Sequence, residues 1–445
     1  MSAIGKIERF VENQFPSFGI NKKREFVRLI FEIAKRVGLS YGKITEIISK
    51  AGYRNYREVK NFLVNWRYPH YKNGEGLRLY LPELKIDYRY KFNLRSEFNF
   101  SPRNVYVEER AKNSYLVRRF RELFPQARVF LINSLKEYVQ GKEFSLIDYN
   151  RRKDNVFIVS ENYDFFKKCP CSKNAISCGY RILNLGSGCI YECVYCYLQI
   201  YLKNAPGIIL PFNLDDFFKN LPEKPLNSSI FCRVRLGNGE FSDSLALDDI
   251  TQWSFQLVSF FRKKPDFLFE FKTKSKNIDN LISIKAEENI IISWSLNPQV
   301  IIDSLEFYTA SLKERISSAK ICAEHGYKVG FHFDPIVYYK NWEDDYHELV
   351  NLVFKNIAVK KIAWISLGTL RFNPELKKII ENRFPDNKIL DEELFIDFDN
   401  KLRYHPQLRI IIYKKMYSWI RKWGRGIPVY LCMEHKDIWK EVYGS

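Results

Sequence analysis

Residues 189–199 read Cys189-Ile-Tyr-Glu-Cys193-Val-Tyr-Cys196-Tyr-Leu-Gln, and this stretch decides the fold of the chain. It holds three thiols at C-x3-C-x2-C spacing and follows an apolar run at 180–185 that predicts a strand. Structural zinc sites and ordinary iron–sulfur sites use four protein ligands. Three thiols therefore indicate a cluster with one iron left open for a small molecule. The alternative is a structural zinc knuckle, which is disfavoured because tyrosines interleave the thiols and the surroundings read as strand then helix.

The composition is that of a folded protein, with 46% apolar and 28% charged residues in a chain of 445. This length allows two or three domains. The sequence shows neither an apolar run long enough for a bilayer span nor the apolar core of a signal peptide. Six of the nine cysteines lie between Cys169 and Cys196, which favours metal ligation in a reducing compartment over disulfides. We therefore expect a soluble, cytoplasmic protein without a membrane partner.

The formal net charge of +19 predicts a polyanionic partner, with nucleic acid as the leading candidate. Residues 1–90 hold 18 Lys and Arg against 9 Asp and Glu, and they are predicted to form a basic helical domain that is a candidate for nucleic-acid binding. Helix candidates at 41–51 and 56–66 resemble a small helix-turn-helix module. Its exposed basic residues would be Arg54, Arg57 and Lys60. The alternatives are a general lysine-rich composition and a purely structural helix bundle.

Beyond residue 90 the sequence predicts an α/β architecture. Residues 91–165 read as a linker and α/β lead-in, and 166–370 alternate strand and helix candidates as parallel βαβ units do. We predict a partial (β/α)6 barrel, with 371–445 as a C-terminal α/β extension that completes it. The strand candidates are 180–185, 230–236, 267–272, 290–296, 329–334 and 362–367. In such barrels the chemistry lies at the carboxyl ends of the strands.

Polar residues follow or end several of these strands. They are Gly237, Gly239, Glu240, Ser242, Asp243, Lys274, Ser295, Asn297, His332 and Asp334. The two glycines would let the backbone approach a ligand closely. The lysine could pair with a carboxylate, and the residues after 290–296 could contact a ribose. The alternatives are a tight turn, a solvated lysine and a structural His–Asp pair.

A second group of thiols, Cys169, Cys171 and Cys178, precedes the first barrel strand. These residues could ligate a second metal, form a redox couple or brace the turn before the strand. Pro170 between two of the thiols disfavours a helical redox motif. Bracing is therefore the favoured interpretation.

Taken together, these strings resemble the spore photoproduct lyase branch of the radical S-adenosylmethionine (SAM) enzymes over about residues 115–435. The matching strings are Cys189-x3-Cys193-x2-Cys196-Tyr-Leu-Gln, Ser242-Asp243, Thr273-Lys274, Trp294-Ser295-Leu-Asn297-Pro298, Thr309-Ala-Ser311-Leu-x-x-Arg315-Ile and Gly326-Tyr327-x-x-Gly330-Phe331. The Cys-Tyr-Leu-Gln string after the last thiol is the most discriminating of them.

The resemblance implies that Cys189, Cys193 and Cys196 hold a [4Fe–4S] cluster whose open iron is chelated by SAM. The candidate SAM-binding residues are Gly237, Gly239, Ser242, Asp243, Lys274, Ser295 and Asn297. The implied reaction is reductive cleavage of SAM, with electrons from a flavodoxin-type or ferredoxin-type donor, to a 5′-deoxyadenosyl radical that abstracts hydrogen from the substrate. The expected substrate is a nucleic-acid base, in DNA repair or modification.

The candidate catalytic residues are Tyr195 and Tyr197, which correspond to tyrosines near the radical relay of that family, and Glu240. The true lyase places a hydrogen-donating cysteine two residues before the Ser-Asp pair, where this chain has Glu240. A thiol donates a hydrogen atom readily to a carbon radical and a carboxylate does not. We therefore expect a lyase-like relative, with Cys232 and Cys432 as candidate substitutes for the donor.

Two other functions remain open at this point. A radical SAM enzyme acting on a protein or small molecule would explain the glutamate without a missing thiol. A non-enzymatic, zinc-containing nucleic-acid-binding protein would explain the charge and the cysteines together.

Overall fold

The computed structural model describes residues 3–72, 76–96, 98–162, 167–169, 171, 175–201, 205–221 and 233–444. Cys232 and the start of the predicted strand 230–236 lie outside these residues. The chain forms two units. The first comprises Met1–Lys91 and Arg371–Arg409, and the second comprises Phe92–Leu370 and Ile410–Ser445. The predicted extension 371–445 is thus divided, because Phe395 is buried in the apolar core of the N-terminal helices.

Four helices begin the first unit. They are Ala3–Gln14, Ile20–Val37, Tyr41–Ala51 and Tyr56–Arg67. The predicted start of the third helix is confirmed, because the Ser40 side chain accepts a hydrogen bond from the Lys43 N–H. Gly52 ends this helix with a φ of 69°, a conformation that glycine adopts without strain. Asn55 caps the fourth helix in the same way as Ser40 caps the third.

The rest of the first unit is a three-stranded antiparallel sheet and a helix, with a short 3-10 turn at Tyr88–Tyr90. The strands in sheet order are Arg371–Phe372, Leu402–Arg403 and Phe395–Ile396, and the helix is Pro374–Arg383. Buried ions connect this helix to the N-terminal helices. The Glu32 carboxylate pairs with Lys377 at 2.6 Å and with Arg67 at 3.1 Å, and Arg28 pairs with Glu381.

A small parallel sheet opens the second unit, within the segment predicted as a linker and lead-in. Its strands in sheet order are Arg128–Ile132, Asn104–Glu108, Asn155–Val159 and Ile208–Pro211. The second of these forms an inner strand because Val105 and Val107 are buried in the core that includes helix Tyr115–Leu123. The segment 91–165 therefore contributes three paired strands to a folded layer.

Eight strands form the barrel sheet. In sheet order they are Val429–Leu431, Ile362–Thr369, Lys328–Ile336, Ile290–Ser295, Phe267–Thr273, Val234–Gly237, Arg181–Ile182 and Lys167–Lys168. All neighbours are parallel except the last pair, which is antiparallel. The six predicted strands occupy six consecutive places, so the predicted partial (β/α)6 barrel is confirmed. Their nearly continuous apolar runs suit strands that are covered on both faces.

The remaining helices are Leu135–Val139, Leu146–Asn150, Leu198–Tyr201, Leu214–Asn220, Asp248–Thr251, Trp253–Phe261, Asp279–Ile282, Gln299–Leu305, Leu312–Glu324, Trp342–Asn356, Pro406–Trp423 and Lys436–Tyr443. Among the described residues, no helix is both long enough and apolar enough to cross a bilayer.

Candidate metal and cofactor site

The loop after the first barrel strand follows a path that requires glycine. Gly186 and Gly188 have φ values of 93° and 97°, and Ser187 pairs with Ile209 of the small sheet. A Cβ atom on Gly186 would lie 2.2 Å from the Ile209 carbonyl oxygen, which no other residue type tolerates. This close crossing brings Cys189 to the carboxyl end of the strand, where barrel enzymes place their chemistry.

Hydrogen bonds inside the loop fix the other two thiols. The Cys196 N–H donates to the Cys193 carbonyl at 3.1 Å. The Gln199 side-chain amide donates to the carbonyls of Val194 at 2.8 Å and Cys196 at 3.2 Å. Gln199 is 1% exposed, so these bonds form away from water. The glutamine of the Cys-Tyr-Leu-Gln string therefore fixes the shape of the cysteine loop.

Arg152 stabilises the same loop through its carbonyl groups. Its buried guanidinium donates to the carbonyls of Cys189 at 2.9 Å and Tyr191 at 2.8 Å. It also binds the Glu192 carboxylate at 2.7 Å. Sequence reasoning missed Arg152 because the Glu192 contact joins positions 40 residues apart, and no local pattern indicates such a pair.

Glu306 is a buried anion beside the cysteine loop. It stands opposite Cys193 in a two-residue antiparallel ladder. Its carboxylate accepts hydrogen bonds from the Tyr195 hydroxyl and from the Asn297 amide, the latter at 2.8 Å. Two of the predicted site residues, Tyr195 and Asn297, therefore meet at a carboxylate that the sequence analysis did not single out.

Two cations compensate this anion. Arg315 pairs with Glu306 at 2.7 Å and also donates to the Ser295 carbonyl at 2.8 Å. The Lys274 ammonium lies 5.9 Å from the centre of the Tyr195 ring. Burial alone would raise the pKa of Glu306, but the charges of Arg315 and Lys274 lower this pKa to about 2. The carboxylate is therefore ionised at neutral pH despite its burial.

The three thiols of the loop act on one another electrostatically. Burial raises the pKa of Cys189 to about 12, and it also raises the pKa values of Cys193 and Cys196. The charge of Lys274 opposes the pKa shift at Cys193 and Cys196. In the part of the chain that the structure describes, no three His, Cys, Asp or Glu side chains are grouped to hold a single metal ion. A [4Fe–4S] cluster takes one thiolate per iron, and three thiols on one loop beside a cation fit this cluster.

A cavity adjoins Cys189, and its lining includes Asn238, Ser242 and Asp243. The side-chain carbonyl oxygen of Asn238 is buried and has no hydrogen-bond partner. Such an acceptor is costly when unsatisfied, so it marks a place for a donor group of a ligand. Sequence reasoning missed Asn238, although a polar side chain directly after a buried strand was an available signal.

Asp243 is engaged inside the protein. One carboxylate oxygen accepts from the backbone N–H groups of Leu245 and Ala246 and from the Thr273 hydroxyl. The other oxygen accepts from the Lys274 N–H at 2.6 Å. Asp243 therefore holds the backbone at Lys274, and its predicted contact with SAM stays a prediction.

The two glycines expected to approach a ligand face protein atoms. A Cβ atom on Gly237 would lie 2.3 Å from the Tyr180 hydroxyl oxygen, and one on Gly239 would lie 2.9 Å from Lys272 Cβ. Glycine is therefore required here for packing between neighbouring strands. Asn297 is similarly engaged, because its side-chain oxygen accepts from the Tyr346 hydroxyl at 2.6 Å.

His332 belongs to a separate buried network. Its Nε2 atom lies 2.8 Å from the Glu270 carboxylate, which Arg235 also binds at 2.7 Å. Burial and the charge of Lys272 lower the pKa of His332 to about 4, so its imidazole is neutral at pH 7. The carboxylate partner of His332 is thus Glu270, where the sequence suggested Asp334.

Tyr197 and Glu240 are brought together by the fold. The Tyr197 hydroxyl donates to the Glu240 backbone carbonyl, and Tyr197 remains 36% exposed. Cys169 lies within electrostatic range of both residues, and its thiol is hydrogen-bonded to Cys171. The hydrogen bond with Cys171, burial and, more weakly, the charge of Glu240 raise the pKa of the Cys169 thiol.

Comparison with known proteins agrees with this geometry. The family model described as spore photoproduct lyase matches residues 100–406. The spore photoproduct lyase of Geobacillus sp. (strain Y412MC61) is 27% identical over 346 residues, which is 76% of this chain and 93% of that protein. The spore photoproduct lyase of Bacillus subtilis (strain 168) is 26% identical over 347 residues, which is 76% of this chain and 92% of that protein.

Solved structures show the same fold. A spore photoproduct lyase complexed with dinucleoside spore photoproduct has a TM-score of 0.62 at 24% identity, covering 75% of this chain and 99% of that chain. A mutant spore photoproduct lyase with bound AdoMet and dinucleoside spore photoproduct has a TM-score of 0.62 at 22% identity, covering 76% and 99%.

The partial barrel and the three-cysteine loop define a radical SAM enzyme. Since the family model matches more than half of its length, the chain belongs to the spore photoproduct lyase family. The predicted enzyme class and the predicted cofactors, a [4Fe–4S] cluster and SAM, are confirmed. This membership argues against the non-enzymatic zinc protein.

Proposed function

We propose that the chain acts on a nucleic-acid base, in DNA repair or modification, as a lyase-like radical SAM enzyme. The observation that supports this most is the three-cysteine loop within a chain of the spore photoproduct lyase family. A solved relative is complexed with dinucleoside spore photoproduct. The net charge of +19 favours a polyanionic substrate of this kind.

In this proposal Cys189, Cys193 and Cys196 hold the cluster. When bound, the cluster and SAM supply the one-electron chemistry that removes a hydrogen atom from an unactivated carbon. The electron donor would be a small reducing protein of the flavodoxin or ferredoxin type. Lys274 would orient a carboxylate, and Asn238 would accept a hydrogen bond in the adjoining cavity.

Glu306 and Arg315 position these groups. Because Glu306 is ionised and binds Tyr195, Asn297 and Arg315, it fixes the loop side of the site to the strand side. Both charges are almost entirely buried, and they pair at 2.7 Å, so that each charge compensates the other away from water. The site is therefore preorganised and dry on this side, which protects a reactive carbon radical from side reactions.

We assign hydrogen-atom donation to Cys169, since the Glu240 carboxylate is unsuited to it. In this step the S–H bond of Cys169 breaks and a C–H bond forms at the product carbon, so that the unpaired electron passes from carbon to sulfur. Support comes from the strand pairing that puts Lys168 opposite Arg181 and Arg181 opposite Leu236, and from the electrostatic coupling of this thiol to Glu240 and Tyr197. Tyr197 would then return a hydrogen atom to the sulfur, so that its O–H bond breaks and the unpaired electron passes to its phenolic oxygen.

Anaerobic assays test the proposal. The purified chain is expected to contain about four irons and to release 5′-deoxyadenosine from SAM on reduction. With dinucleoside spore photoproduct or lesion-containing DNA it should form the repaired base. Cys169→Ala should lose product formation while it still releases 5′-deoxyadenosine, and Cys322→Ala, a buried thiol on helix Leu312–Glu324, should retain both.

A second candidate function is favoured by Glu240. If 5′-deoxyadenosine is released but no nucleic-acid substrate is changed, the enzyme acts on a protein or small molecule instead. Following deuterium from labelled candidate substrates into 5′-deoxyadenosine identifies that substrate class. No release at all, with the full iron content, would contradict both candidates.

We place the enzyme in the cytoplasm. The eight cysteines that the structure describes are all free thiols, and a reducing compartment keeps thiols in this state. Cell fractionation of the native host, with an antibody against the chain, tests this placement.

A further inference from the structure

The N-terminal helices are not explained by family membership. The family model begins at residue 100, and the first unit includes Met1–Lys91. Within this segment, helices Tyr41–Ala51 and Tyr56–Arg67 are joined by residues 52–55. A helix pair joined by a short turn that contains glycine is the framework of DNA-binding helix-turn-helix modules. The question is which surface this pair leaves to a partner.

Packing fixes the orientation of both helices. Ile44 and Ile48 of the first helix and Val59 and Leu63 of the second are at most 2% exposed. All four belong to the apolar core that they share with helix Ile20–Val37. The opposite face of the second helix is therefore turned to solvent.

That face and the turn before it present a set of polar side chains, which we call the Arg/Asn face. Its members are Arg54, Arg57, Asn61 and Asn65, and all four are exposed. The last three follow i, i+4, i+8 spacing and therefore align along one side of the helix. The acidic residue beside them is Glu58, which leaves the face with a net positive charge.

The members of the Arg/Asn face have no side-chain partner among the residues that the structure describes. Other basic residues of this region are paired. Lys43 and Lys50 both bind Glu46, at 3.1 Å and 2.6 Å, and Lys60 binds Glu25 at 2.9 Å. Arg54 in the turn and Arg57, Asn61 and Asn65 on one face of the helix are thus available for an external ligand.

The chemistry of these residues indicates the ligand. Arginine forms bidentate hydrogen bonds with guanine and asparagine forms them with adenine, both at base edges in the major groove of DNA. That groove admits an α-helix, whereas the major groove of an RNA duplex is too narrow for one. The excess of 18 basic over 9 acidic residues in 1–90 adds attraction to phosphates.

We propose that the Arg/Asn face binds duplex DNA, with helix Tyr56–Arg67 in the major groove. This gives the chain a DNA-binding surface separate from the cysteine loop, and it does not depend on the substrate proposed above. The module would hold the enzyme on undamaged DNA by contacts that need neither cluster nor SAM.

Binding of the anaerobically purified full chain to a labelled, undamaged DNA duplex of about two helical turns tests this, by fluorescence anisotropy over a salt series. Arg54→Ala/Arg57→Ala should weaken binding about tenfold and relax the preference for guanine in the bound sequence. The matched control is Lys43→Ala/Lys50→Ala, which removes the same charge from a paired position and should change affinity less than about twofold. Circular dichroism shows whether each variant is folded.

A second arm tests base reading. In selection from a random duplex library, Asn61→Ala/Asn65→Ala should relax the preferred sequence without changing the salt slope. A loss of DNA affinity in Lys43→Ala/Lys50→Ala equal to that in Arg54→Ala/Arg57→Ala would overturn the proposal. Binding of an RNA duplex as tight as that of the DNA duplex would also overturn it. Duplex binding that persists in a chain without SAM cleavage would leave this inference standing while the proposed function fails.

Discussion

Glu306 beside the cysteine loop and Glu32 in the N-terminal helices are built alike. Both are nearly unexposed, and each accepts a hydrogen bond from a tyrosine hydroxyl, that of Tyr195 or Tyr68. Burial would raise the pKa of either carboxyl, but adjacent cations lower both pKa values to about 2. The same electrostatic solution thus occurs in both units.

The two anions differ in what they connect. The partners of Glu306 include Arg315 and Asn297, and both lie in segments beside the candidate cofactor site. Glu32 instead binds Lys377, which is 345 residues away in the sequence. A buried ion network therefore positions ligand-bearing residues in one region and joins distant segments in the other. The role of a buried ion network therefore has to be inferred from the elements that it connects.

The largest expected effect is at the thiol opposite Glu306. Cys193→Ala should reduce bound iron from about four per chain to a small residue and abolish SAM-dependent 5′-deoxyadenosine release. Iron content and the visible absorption band of the anaerobic protein measure this. The matched control Cys322→Ala should keep both, and iron retained at full content in Cys193→Ala would contradict the assigned ligand set.

Replacing Glu32, the buried anion of the N-terminal helices, should destabilise the first unit without changing the iron content of the chain. Glu32→Ala removes the carboxylate that pairs with the buried cations of Arg67 and Lys377. Leaving such charges uncompensated lowers the free energy of unfolding by about 3–5 kcal/mol. Hydrogen exchange of the backbone amides in helix Ile20–Val37 measures the loss. Unchanged protection there would contradict the stabilising role of the Glu32 network. Loss of iron would contradict the expectation that its effect is confined to the first unit.

Lowering the pH should gradually remove the contribution of Glu32 to the free energy of unfolding. The pKa of Glu32 is lowered from an ordinary value of 4.5 to about 2, so the unfolded chain takes up this proton first as pH falls. The stabilisation is complete above about pH 4.5, declines below it and is lost near pH 2, in total about 3 kcal/mol. Unfolding free energies from pH 6 to pH 2 should fall less steeply in Glu32→Gln than in the unmodified chain. Parallel curves would contradict the lowered pKa.

The smallest effect is expected from a neutral substitution beside the loop. Glu306→Gln keeps the shape but removes the charge that binds Arg315 and Tyr195, and groups that support metal ligands typically contribute about tenfold to metal retention. The rate of iron loss to a chelator should rise about tenfold. Glu324→Gln, at an exposed position on helix Leu312–Glu324, is the control, and equal rates in the two variants would remove Glu306 from this role.

Local patterns predicted most of the fold. The thiol spacing, the apolar strands at 267–272 and 290–296, and the caps at Ser40 and Gly52 all depend on neighbours in sequence, and each was found where expected. Asn104–Glu108 escaped prediction because its segment is rich in turn-forming residues, and its pairing comes from strands distant in sequence.

The candidate site likewise combines residues that local motifs identified with contacts that they did not predict. The three thiols, Lys274 and Tyr197 could be named from motifs, but the hydrogen-bond partners of Asp243 and Asn297 could not. Their side chains are engaged by hydrogen bonds to Lys274 and Glu306, and only folded coordinates bring these groups together.

The sequence by itself determined the class of chemistry, because metal ligation requires particular side chains at a fixed spacing. Tertiary structure alone decided which carboxylate lies opposite Cys193 and which arginines of the N-terminal helices remain unpaired. Those facts depend on contacts such as Tyr195 with Glu306, 111 residues apart, and the free energy of such contacts is set by burial and by neighbours that the chain acquires only when it folds.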